Sequence, residues 1–121
     1  MEYASVTVVE SQAAPGVSLV LRRMSFAGRV ELMQHIRELA RRVEFLKAGE
    51  SPAEQMDAAL VRAEIDRLYV QWGVQEVRGL TLDGAPATPE SLVEAGPETL
   101  FREALEAVKA QCGLSDEERK N

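Results

Sequence analysis

Cysteine and histidine are almost missing from this chain: Cys112 and His35 are the only ones in 121 residues. One cysteine excludes an internal disulfide framework and suits a reducing compartment. Neither residue has a His or Cys three or four positions away, so a zinc site of ordinary helical spacing lacks ligands, and so does a Cys–His nucleophile pair. His35 therefore reads as a structural or surface residue. Cys112, which follows Phe101, Leu105 and Val108 on one apolar stripe, reads as core filler. No apolar run approaches the roughly 18–20 residues that a membrane span needs. A basic segment leading into an apolar one is also missing at the start, so no secretory leader is expected.

Phosphate and metal loops are missing as well. Gly79 and Gly84 belong to neither a GK[ST] nor a GxGxxG pattern, and Asp83-Gly84 lacks the spaced acidic ligands of a calcium loop. Carboxylates do cluster, as Glu64 with Asp66, Glu103 with Glu106, and Asp116-Glu117-Glu118. On helices such groups are ordinarily solvated faces, and Arg62 and Arg67 near Glu64 fit that reading. No catalytic residue, metal or cofactor is expected, and the chain is not expected to be an enzyme.

Charge is plentiful but uneven. The net value is −6, which argues against nucleic acid as a partner. Residues 22–47 hold seven basic and three acidic side chains, a local +4, whereas everything after residue 47 holds seven basic and fifteen acidic, a local −8. With 45% hydrophobic residues and 121 positions, one globular domain is expected.

Within residues 1–24, two Val/Thr/Leu-rich runs (3–10 and 17–24) flank Ala13-Ala14-Pro15-Gly16, a turn sequence, and predict a β-hairpin. Alternation predicts Val6 and Val8 on one buried face, matched by Val17, Leu19 and Leu21. Residues 25–73 predict a helical hairpin. Ser25 caps a first helix roughly 35 Å long, on which Leu32, Ile36, Leu39, Val43 and Leu46 form a heptad-like stripe. Gly28 marks either a late start or a close contact. Ser51-Pro52-Ala53-Glu54 caps a second helix with Ala58, Val61, Ile65, Leu68 and Trp72 on its stripe, and Gly49 and Gly73 serve as stops. The short loop forces the two helices antiparallel. In residues 74–121 the period breaks. A short strand or extended segment is expected first, then a turn at Asp83-Gly84, helices capped at Thr88-Pro89 and Pro97, and an acidic tail with a second capping pattern at Ser115–Glu118. The expected fold is mainly α with a short N-terminal β-hairpin (α+β): a long antiparallel αα-hairpin plus short C-terminal helices.

Met33, Ala40, Phe45, Met56 and Leu60 fall outside the two stripes and need cover from a neighbouring copy or from a helical client laid in a groove. The expected partner-binding residues are Met56, Leu60, Tyr69 and Trp72.

The run Gly79-Leu80-Thr81-Leu82-Asp83-Gly84-Ala85-Pro86-Ala87-Thr88-Pro89-Glu90-Ser91-Leu92, followed by Leu114-Ser115-Asp116-Glu117-Glu118-Arg119-Lys120-Asn121, resembles small tail-assembly proteins of long-tailed phages and prophages. In those proteins a β-hairpin precedes helices and the chain ends in a polar, acidic LSxEExKN-like tail. The resemblance implies a non-enzymatic tail assembly chaperone in the bacterial cytoplasm. Such a protein coats the helical tape-measure protein and keeps it soluble until tail-tube subunits replace it. Self-association is also implied, and some such families make a second form by ribosomal frameshifting. The alternative is a small acidic inhibitor or adaptor, such as a phage anti-defence protein, that covers a basic protein surface. Neither reading calls for nucleic acid or a membrane as partner.

Overall fold

Two five-residue strands, β1 (Val6–Glu10) and β2 (Ser18–Arg22), form the expected antiparallel hairpin, with Val6 opposite Arg22 and Glu10 opposite Ser18. We describe residues 1–113 of a computed structural model. On β2, Leu19 and Leu21 are fully buried in the core. Their partners across the ladder are Val9 and Thr7, so β1 turns those two inward. Val8 is 48% exposed on the other face, which corrects the expected phase of Val6 and Val8 by one residue.

Two strands are marginal in water, and a third completes the sheet. This is β3 (Val74–Arg78), antiparallel to β2, giving the order β1-β2-β3. The ladder shifts between Val20 and Leu21: Leu19 faces Val77 while Leu21 faces Val74. The extra residue lets two valines three positions apart both reach the core. A small second hairpin, β4 (Thr81–Leu82) with β5 (Ala85–Pro86), turns at Asp83 and Gly84, both at positive φ.

The long helices α1 (Phe26–Lys47) and α2 (Pro52–Gly73) form the antiparallel pair. Ser25 Oγ accepts the Gly28 amide at 2.9 Å, and Ser51 Oγ accepts the Glu54 amide at 3.1 Å while donating to the Glu54 carboxylate at 2.8 Å. Gly28 is a close contact and not a late start, since a Cβ there would lie 3.2 Å from Trp72 Cζ2. Gly73 is not a left-handed stop either: it stays helical and Val74 runs directly into β3. Its lack of a side chain serves packing, because a Cβ would collide with Val108.

Helices α3 (Pro89–Ala95) and α4 (Glu98–Gln111) cover the sheet, α3 against β3 and α4 across β2. Thr88 and Ser91 cap α3 reciprocally, with Pro89 in the first turn. Leu19, Leu21, Val70, Leu92, Leu100 and Val108 are the largest fully buried side chains. The core thus lies between the sheet, α3, α4 and the last turns of α2. α1 packs extensively only on α2. Val43, Ala58 and Val61 are buried but lie outside the main core cluster, so the far half of the helical hairpin stands away from the head as a two-helix arm. The capping pattern expected at Ser115–Glu118 and the acidic tail lie outside the described residues.

Candidate interaction surface

The four residues expected to bind a partner divide into two pairs. Met56 and Leu60 are 65% and 62% exposed on α2. Tyr69 and Trp72 are half-buried and pack against the core. Leu60 and Tyr69, nine residues apart on one helix, point in nearly opposite directions at about 100° per residue. A single groove containing all four does not form.

Trp72 is held from several sides. The Arg22 guanidinium stacks 4.5 Å from its ring centre, and Arg22 also donates to the Trp72 carbonyl at 3.4 Å and pairs with Glu31 at 3.5 Å. Glu31 in turn lies 3.8 Å from His35 Nε2, so His35 sits at the exposed edge of this group. Among the described residues, buried Trp72 Nε1 has no hydrogen-bond partner. Tyr69 borders a cleft of about 340 Å³ between α1, α2 and Lys109 of α4, lined in part by Ile36, Val43 and Ile65. Inside it, Lys109 Nζ lies 3.8 Å from Asp66 and 5.6 Å from the Tyr69 ring centre, and Asp66 also meets Arg102 at 3.4 Å.

Of the carboxylate clusters, Asp116-Glu117-Glu118 lies outside the described residues. Asp66 is engaged by those two cations while Glu64, two positions away, is exposed. Glu103 departs from the expected solvated face. Its carboxylate accepts from Ser11 Oγ and from the amides of Gln12 at 2.8 Å and Ala13 at 3.2 Å, joining α4 to the β1–β2 turn. Burial by itself raises this carboxyl's pKa, but the three hydrogen bonds outweigh it and hold the group below the usual carboxylate range. Burial pushes the Cys112 thiol up, opposed in part by Arg29. Among the described residues there is no group of three metal-ligating side chains, and no helix is long and apolar enough to cross a membrane.

Large apolar side chains are also left on the surface. Phe26 (87% exposed), Val30, Met33 and Phe45 on α1 join Met56 and Leu60 on α2. Phe26 and Val30 were not singled out from the sequence, although the signal is present: Phe26, Val30, Met33, Arg37 and Ala40 step by four, three, four and three, a second heptad seam beside the one seated on α2. Comparison with known family models, characterised proteins and solved structures finds no match.

Proposed function

We propose that this protein is a tail assembly chaperone of a phage or prophage, a non-enzymatic binder that keeps the helical tape-measure protein soluble. The observation that carries this is the arm: two long helices that leave large apolar side chains uncovered on both members of the pair. An amphipathic helix docks by laying apolar anchors at i, i+3, i+4 and i+7 into such a surface. The resemblance of residues 79–92 and 114–121 to tail-assembly proteins supports the choice of client. The acidic balance after residue 47 suits a crowded assembly, because like charge suppresses collapse between bound copies.

The test is capture of the tagged chain from its own host or lysogen in moderate salt, followed by a wash at about 0.5 M NaCl, where long-range charge attraction is screened. A long, helix-rich protein carrying many copies of this chain is the expected result. A basic nucleic-acid-binding protein held one-to-one and released by salt would replace this function with the acidic-inhibitor alternative. Capture of nothing would refute both.

A further inference from the structure

The second heptad seam of α1 has a chemical gradient along it. Phe26, Val30 and Met33 supply an exposed apolar end, and a groove of about 380 Å³ runs beside Val30, Met33, Gln34, Ile36 and Arg37. Toward the tip of the arm the seam becomes basic. Arg37 has no ion pair among the described residues, and Arg41 has only an exposed contact with Glu38 at 3.4 Å. From Phe26 to Ala40 the seam is about 21 Å long, four turns of helix.

We propose that this seam on α1 docks an acidic amphipathic helix of the client, an assignment that rests on the chaperone reading above. The client helix lays apolar anchors over Phe26, Val30 and Met33 and carboxylates over Arg37 and Arg41. It forms a third strand of helical packing beside α1 and α2. Charge complementarity selects this occupant. A second copy pairing seam to seam in parallel sets Arg37 against Arg37, and in antiparallel it lays Arg37 and Arg41 along the other copy's Val30 and Phe26. Met56 and Leu60 on α2 offer only two anchors, followed at the same spacing by Ala63 and Arg67, and Arg67 is already paired with Glu94 at 2.6 Å.

The probe is a fluorescent synthetic helix of about 21 residues with Leu at its heptad core positions and Glu beside them at one end, compared with a twin in which every Glu is Lys. The full chain is expected to bind the Glu peptide at least about tenfold more tightly than the Lys twin. Reversing Arg37 and Arg41 together (Arg37→Glu, Arg41→Glu) should invert that preference. Because both arginines are exposed, the reversed protein should keep its helical circular dichroism. Met33→Asp should weaken both peptides, while the double variant Met56→Asp, Leu60→Asp should leave both unchanged. Equal binding of the two peptides, or insensitivity to Met33→Asp, overturns the seam. So does sedimentation of the free chain as a dimer that Met33→Asp dissociates. Capture by anionic vesicles that the Arg37/Arg41 reversal abolishes, without peptide binding, also overturns it in favour of a membrane surface. Loss of peptide binding in the Met56/Leu60 variant alone refutes the seam but leaves a helix-binding chaperone standing. If the host capture yields no long helical protein, the chaperone function falls independently of the peptide result.

Discussion

Replacing Glu103 by Gln tests the latch between α4 and the β1–β2 turn. The wild-type carboxylate spends one oxygen on the hydroxyl of Ser11, which is buried, and the other on the Gln12 and Ala13 amides. A glutamine keeps one acceptor oxygen, loses the charge, and turns an amide donor toward a group that also needs to donate. Hydrogen bonds to charged groups contribute about 1.5–3 kcal/mol each, but the exposed amides of Gln12 and Ala13 regain water. Whichever way the amide turns, one side of the latch loses its acceptor and the other its charge-assisted bond, and a net cost of about 2 kcal/mol follows. With a urea dependence of about 1.5–2 kcal/mol per molar, the unfolding midpoint should fall by about 1 M. Glu64→Gln, on an exposed carboxylate without an ion pair among the described residues, is the control and should stay within about 0.5 kcal/mol. Acid adds a second readout. The folded Glu103 carboxyl titrates below its ordinary value, so its stabilisation is fully present above about pH 4.3 and is lost as pH falls through the folded value. The gap between wild type and Glu103→Gln should therefore narrow below about pH 4. A midpoint unchanged at pH 7, or a gap that stays constant down to pH 3, refutes the latch.

Gly73→Ala should destabilise by about 1–3 kcal/mol in the same urea titration, because the new methyl collides with the Val108 side chain of α4. Cys112 should react with iodoacetamide at least about tenfold more slowly in the native chain than in urea, since burial both covers the thiol and raises its pKa. Amide exchange should be fastest, among helical residues, near the tip of the arm around Leu46 and Ala53, and slowest at Val70, Leu100 and Val108 in the core. Uniform protection along α1 and α2 would contradict the division into head and arm.

The helical hairpin was legible because its signals agree at every level: caps at Ser25 and Ser51, a short loop, and stripes of the right period. Thr88-Pro89 and Pro97 likewise marked α3 and α4. The phase of β1 was not legible, since valine occupies positions 6, 8 and 9 and either face looks apolar. Only pairing with Leu19 and Leu21 decides that Val9 goes in. At β3 a short strand was legible as one of two options, but its place in the sheet was not. Val74 and Val77 match neither a period of two nor one helix turn with its continuation, and the bulge opposite Val20 and Leu21 is what reconciles them. Glu103 and Ser11 are 92 residues apart, so their contact has no local pattern. At the surface, Met56 and Leu60 were found correctly as exposed, whereas Tyr69 and Trp72 were drawn into the same group by their residue type. Their burial depends on Arg22 and α4, which the sequence places far away.

The way the arm is packed bears on what it is for. Its far half is held by Val43, Ala58 and Val61, small side chains that bring the helices close but bury little apolar area each. Larger side chains of the same stretch, Phe45, Met56 and Leu60, are left in water. A protein whose arm served only its own fold would gain by exchanging these positions, since burying a Met, Leu or Phe stabilises by roughly 1.5–3 kcal/mol and exposing it does not. On the proposed function, the arrangement keeps free-energy gain in reserve for a client helix. Whatever binds the folded arm and not the unfolded chain adds its own binding free energy to the arm's stability. A third helix in the proposed α1 seam would cover Phe26, Val30 and Met33 at the base of the arm and run past Arg37 and Arg41 toward its tip. The head, with its three-stranded sheet, two covering helices and the Glu103 latch, needs no partner to hold its core. It anchors the base of an arm whose packing, on the proposed function, a client helix completes.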